Sequence, residues 1–342
     1  MRIAILRSLF PAFCLLTQAA LCQQQQFADL GDFKLESGET LRNCRIGYRT
    51  FGQLNPQRSN VVLFPTWAGG NTQQLQSNAG PGRLADTSKY YVVLVDALAN
   101  GVSSSPSNSR AQPHMHFPKV TIRDMVNTQH ALLTKVLHLS HVHAVMGISM
   151  GGMQTFQWAV SYPDFMDYAV PIVGAPRLAA YSLLHLQTQM DFFETDPAWN
   201  GGDYTKNPAR GAAYEFGALL LNTPERFNRM TSREQVLAQI AKAKKSEGGS
   251  DANDTIRQSE AMMALDVAAP FRGSMEKAAA AVKAKMLVIV SATDHVVTPE
   301  PAIEFAHLRH AQLIELNDDC GHLASACEGE KIRVAVADFL EH

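Results

Sequence analysis

The chain has 342 residues, 46% of them hydrophobic and 18% charged, with a formal net charge of -2. A composition of this kind builds a sizeable core, which excludes a disordered or fibrous chain. The near-neutral balance, with no lysine- or arginine-rich run interleaved with aromatics, excludes a surface built to hold a phosphate backbone, so no nucleic-acid partner is expected.

The first residues, MRIAILRSLFPAFCLLTQAALCQQQQF, set Arg2 and Arg7 ahead of an apolar run and a small-residue stretch. This is the layout of a cleavable secretory signal over residues 1–22, with Ala20 and Cys22 at the two positions the peptidase reads. The apolar part, Leu9 to Ala20, is too short for a good membrane span, and no other segment replaces it. A secreted or periplasmic location is the expectation. Cys14 and Cys22 leave with the signal, whereas Cys44, Cys320 and Cys327 remain. A fully paired framework is therefore excluded, and an oxidising compartment permits Cys320 and Cys327 to join.

Further along, apolar runs rich in β-branched residues are bounded by turn formers. They are NVVLF ending at Phe64, YYVVLVDA at Ala97, VHAVMG at Gly147, DYAVPIVG at Gly174, MLVIVSA at Ala292 and AQLIEL at Leu316. Apolar runs without alternation are strands covered on both faces. Helical patterns stand between them, among them TIRDMVNTQHALLTKVL and EPAIEFAHLRH. The alternation predicts an α/β fold with a mostly parallel central sheet and helices on both sides. Between Pro176 and Phe271 the pattern turns helical, with no convincing central strand. Residues 23–175 and 272–342 thus form the core, and 176–271 a helical lid insertion.

The segment GISMGG places Gly147 and Gly151 two residues to either side of Ser149, after a strand and before a helix. Small residues there let the chain turn sharply and expose the hydroxyl above the sheet, while the amide of Met150 points into an oxyanion site. A serine hydroxyl needs a base, and that base needs an acceptor to fix its tautomer. Asp294 follows the strand ending at Ala292, and His322 follows the one ending at Leu316. The carboxyl ends of parallel strands lie at one edge of a sheet, so the three converge there. Asp96 is the strongest rival acid, although it precedes the serine. His114 and His116, in PHMHFP, lack the acidic or cysteine partners of a metal site, and no metal or cofactor is expected. The second oxyanion amide is assigned to Trp67, in FPTWAGGN, where Gly69 and Gly70 allow close backbone approach.

With these motifs in view the chain resembles the homoserine acetyltransferase family of α/β-hydrolase-fold enzymes, as a divergent member. The likeness runs from LRNCRIGYRTFGQLN to GHLA and is strongest in GPGRLADTSKYYVV, FPKVTIRDMVNTQHALL, GISMGGMQTFQWAVSYPD and DPAWNGGDY. It implies an acyl group carried on Ser149, a triad completed by Asp294 and His322, oxyanion amides from Trp67 and Met150, and a homodimer as an admissible assembly. Three features depart from the family pattern. Ile148 replaces a glycine before the serine, PTWAG replaces histidine-alanine-leucine-threonine-glycine, and Met190 stands where an ungapped count places the arginine that receives an amino-acid carboxylate. Methionine cannot supply the paired donors of arginine, so a different acyl acceptor is expected unless Arg177 or Arg210 takes that place. The leading expectation is a serine hydrolase cleaving a small-molecule carboxylic ester or related acyl compound. An O-acyltransferase with the same triad is the alternative, and a non-catalytic binding protein is the third.

Overall fold

The computed structural model describes residues 24–208, 211–243 and 250–342, so the segment read as a signal, and Arg210, lie outside the described residues. Two antiparallel strands come first, β1 (Gln26–Lys34) and β2 (Thr40–Phe51). No apolar run announced them. In β2 the buried side chains of Cys44, Ile46, Tyr48 and Thr50 fall two apart, with the more exposed Arg45 and Arg49 and the buried Gly47 between them, close to the period of a strand covered on one face.

The six predicted strands follow as β3 (Val61–Pro65), β6 (Tyr91–Val95), β7 (Val142–Ile148), β8 (Met166–Ile172), β9 (Lys285–Ser291) and β10 (Gln312–Leu316), the last an edge strand and so only partly buried instead of covered on both faces. The short helix α1 (Thr72–Leu75) and an unpredicted two-residue pair, β4 (Ala79–Gly80) and β5 (Ala85–Asp86), lie between β3 and β6. The main sheet has the order β1-β2-β6-β3-β7-β8-β9-β10 and is parallel from β6 to β10. Successive side chains of one strand serve opposite faces. Val61 and Leu63 pack into one cluster beneath α2 (Ile122–Ala131), α3 (Met150–Ser161), α9 (Met275–Ala281) and α10 (Glu300–Arg309). Val62 and Phe64 enter the other, closed by Ile332, Val336 and Phe339 of α12 (Gly329–Glu341).

The insertion leaves after β8 and returns before β9. It contains α4 (Ala180–Glu194), α5 (Gly211–Leu221), α6 (Pro224–Met230), α7 (Arg233–Ala243) and α8 (Ala252–Met263). Its two ends are fastened to each other: Arg177 and Asp266 form an antiparallel bridge, and the Val267 amide donates to the Pro176 carbonyl at 3.1 Å. A second attachment joins α8 to the core, where the Ser107 amide and hydroxyl donate to Asp254 at 3.0 and 2.6 Å.

Burial pushes the Asp254 carboxyl up to about 7. Its unfolded value is about 3.9. The neutral form therefore carries the stabilising contribution, which is complete below the unfolded value and lost as the pH rises through the folded one. Urea titrations at pH 5 and pH 8 should show the parent losing on the order of 2 kcal/mol more than Asp254→Asn across that interval. Equal slopes for the two proteins would refute the assignment.

Candidate active site

The turn between β7 and α3 is set by a contact between two backbones. A methyl carbon added at Gly147 would stand 2.2 Å from the carbonyl of Gly151, and one added at Gly151 would stand 2.7 Å from the Pro65 oxygen. Ser149 sits at the apex with φ 58° and ψ -122°, outside the ordinary basins of an L-residue. Ile148, where the family pattern has glycine, lines the adjoining cavity.

His322, carried by the turn Gly321–Leu323 after β10, places Nε2 2.9 Å from Ser149 Oγ and Nδ1 2.7 Å from Asp294 Oδ2. The other carboxylate oxygen of Asp294 accepts from the Val296 and Val297 amides at 2.8 and 2.9 Å. Two backbone donors and one imidazole thus satisfy a carboxylate whose side chain is only 1% exposed. The three residues singled out from sequence form one continuous hydrogen-bonded line. Asp96 is elsewhere: it accepts from the Thr72 amide and hydroxyl, Asn100 Nδ2 and Gln25 Nε2. Asp318 and His295 stand outside the line. Among the described residues no group of three or more His, Cys, Asp or Glu side chains gathers as a metal site.

Trp67 lines the same cavity as Ser149, and Met150 opens α3. Among the described hydrogen bonds neither main-chain amide has a protein acceptor, which leaves both able to donate to a bound oxygen. Their neighbours are fixed by Gln154, which sequence reasoning did not single out. Its Nε2 donates to the Thr66 and Met150 carbonyls, each at 3.1 Å. Its Oε1 accepts from Gln129 Nε2 at 2.6 Å, and Gln129 Oε1 accepts from the Trp158 indole at 2.7 Å. Nothing in a helical glutamine's sequence context marks it as buried, and only the spatial approach of α2 and α3 reveals it.

The loop carrying His322 is held from two directions. Cys320 and Cys327 are disulfide-bonded across it, the second lying on α11 (Ala324–Cys327). From the insertion, the Thr223 hydroxyl donates to the Asp319 carbonyl at 2.6 Å, and Arg229 pairs with the Asp319 carboxylate. His185, on α4, is a further buried wall residue and was not anticipated. Burial, and next the nearby His322, hold its imidazole down at about 4, so it is uncharged near neutrality.

The cavity above Ser149 has a volume of about 630 Å³. Met190 is not in its wall; it packs with Phe193, Ala213, Ala252 and Ile256, and Gln189 faces the cavity in its place. Arg177 lies outside it too, 3.7 Å from Glu304. Among the described residues no lysine or arginine lines the cavity.

Residues 60–326 match the family model described as the alpha/beta hydrolase fold. The chain belongs to that family. This α/β-hydrolase is 32% identical over 314 residues to the ethyl acetate hydrolase of Pseudomonas veronii, a match covering 87% of this chain and 89% of that one. It is 30% identical over 351 residues to a homoserine O-acetyltransferase of Geotalea daltonii, covering 91% and 95%. The crystal structure of an acetylester hydrolase from Corynebacterium glutamicum resembles it with a TM-score of 0.85 at 27% identity, covering 93% and 96%. The α/β-hydrolase is therefore an enzyme related both to esterases and to homoserine acyltransferases.

Because the disulfide closes a short loop, Cys320→Ser with Cys327→Ser should cost about 2–3 kcal/mol in a denaturant titration. Reductant applied to the parent should lower its midpoint and leave the double variant unaffected. An unchanged midpoint in both experiments would show that the Asp319 contacts alone hold the loop.

Proposed function

We propose that this α/β-hydrolase is a serine esterase, working through an acyl-serine intermediate on a neutral carboxylic ester. The observation that carries the reading is the line from Ser149 through His322 to Asp294 at the wall of a cavity with no lining lysine or arginine among the described residues. Ser149 Oγ attacks the ester carbonyl while His322 Nε2 takes its proton. Asp294 holds Nδ1–H and stabilises the imidazolium. The Trp67 and Met150 amides receive the oxyanion. His322 then returns the proton to the departing alkoxide. Water, deprotonated by His322, attacks the acyl-serine, and the acid leaves with Ser149 regenerated.

Acyl transfer to an alcohol uses the same first half, and the likeness to homoserine O-acetyltransferases favours it as a second reading. An amino-acid acceptor brings a carboxylate, and burying that charge without a cationic partner costs several kcal/mol. This weighs toward water as acceptor. Export belongs to the same proposal: the layout of residues 1–22 and a bonded Cys320–Cys327 pair support an oxidising compartment outside the cytoplasm.

Ser149→Ala should abolish ester hydrolysis and acyl-enzyme formation, and Asp294→Asn should lower kcat by about 10³–10⁴-fold with little change in KM. The decisive comparison sets hydrolysis of ethyl acetate against acetyl transfer from acetyl-coenzyme A to homoserine, at equal enzyme concentration with the Ser149→Ala control. Hydrolysis should dominate. Serine-dependent transfer exceeding hydrolysis at saturation would replace the esterase reading with the acyltransferase one.

A further inference from the structure

The wall of the cavity combines exposed and buried residues. Ser77 and Ala326 are exposed and form a rim, with the half-buried Asn78 and Ser325 next to them in the chain. Met153, Leu178, Leu186, Met262 and Val297 are buried and give the cavity an inner, apolar end, with His185 buried in the wall next to Leu186. They come from α3, the segment entering the insertion, α4, α8 and the loop that supplies the Asp294 donors, so the apolar end is assembled by core and insertion together. Ser149, His322 and Trp67 belong to the same wall.

Size matters here as well as chemistry. Cavities of roughly 300–1,000 Å³ suit ligands of drug-like size. At about 630 Å³ this one is far larger than an ethyl ester needs. An ethyl ester bound over Ser149 would leave the inner end lined by apolar groups and filled by nothing of its own. Because apolar surface removed from water is favourable in proportion to its area, a longer apolar arm gains at every methylene that enters.

We infer that the cavity takes a neutral ester with one extended apolar arm, longer than ethyl, seated in the inner end, while its second, short arm points toward the polar rim. The inference rests on the esterase reading and specifies its substrate class. The arm belongs to either the acid or the alcohol, and two substrate series separate these sources. A terminal charge on the long arm is excluded by the apolar lining and by the lack of lysine or arginine there among the described residues.

The test measures kcat/KM for alkyl acetates from ethyl to hexyl, and for ethyl esters of acids from acetic to hexanoic. One series should climb by about two- to fourfold per methylene until the inner end is full. The counterpart with a terminal carboxylate, 6-acetoxyhexanoate for the first series or monoethyl adipate for the second, should fall at least about tenfold below its neutral parent. Met262→Trp, which shortens the inner end, should lower the long-to-ethyl ratio toward one, and Leu186→Phe serves if the first variant does not fold. Ser149-dependent hydrolysis of ethyl acetate with both series flat or declining would overturn the inference and leave the esterase reading standing. Equal rates for charged and neutral long esters would also overturn it. No Ser149-dependent hydrolysis in either series would remove the esterase reading and this inference together.

Discussion

The close approach of backbone to backbone at the turn after β7 is the constraint on which the rest of the site depends. Four segments meet there with no room for side chains. A methyl at Gly147 would collide with Gly151, one at Gly151 with Pro65, one at Gly152 with the Ile172 oxygen at 2.9 Å, and one at Gly174 with the Gly152 Cα at 2.8 Å. The ends of β3, β7 and β8 and the start of α3 are consequently locked in one arrangement. Ser149 takes a strained conformation because its neighbours leave no other, and beside it Val173 is held at φ 43°, unusual for a β-branched residue. The strain is concentrated where a hydroxyl must stand clear of the sheet.

Around that turn, several buried polar groups stand in satisfied sets. Asp294 meets two amides and an imidazole, Gln154 meets two carbonyls and Gln129, and Trp158 ends the chain of amides. Satisfied networks of this kind specify one geometry, since any displacement leaves a buried donor or acceptor unpaired. His185 departs from that pattern: its Nδ1 is buried without a partner among the described residues, and the imidazole is held neutral beside His322. Its charge would oppose the His322 imidazolium of the proposed reaction.

How much of this was legible in the sequence follows from the range of each signal. The buried parallel strands are continuous apolar runs, and Ser149, Asp294 and His322 each lie just beyond a strand end, so local pattern and fold geometry together locate them. β1 and β2 escaped because half-buried strands alternate and offer no run. The position assigned to Met190 shows a different limit. Neighbouring helical residues differ by roughly 100° in direction, so a count along the chain does not by itself tell a wall residue from a core residue. Gln189 faces the cavity and Met190 the interior cluster. Gln154 and His185 gain their roles from contacts between distant segments, which no spacing encodes.

The fastening of the insertion at its own base has a further consequence. With Arg177 bridged to Asp266 and Val267 bonded to Pro176, the insertion leaves the core and rejoins it at nearly one point, ahead of the crossover through α9 to the parallel strand β9. From the side of the core, everything between Arg177 and Asp266 behaves as a closed loop, whatever its length. Residues can be gained or lost there with little penalty to the sheet, because the entropy of closing a loop grows only slowly with its length. A lineage can thus remodel the roof over an unchanged reacting centre, which gives a physical route by which one scaffold came to serve both esterases and acyltransferases.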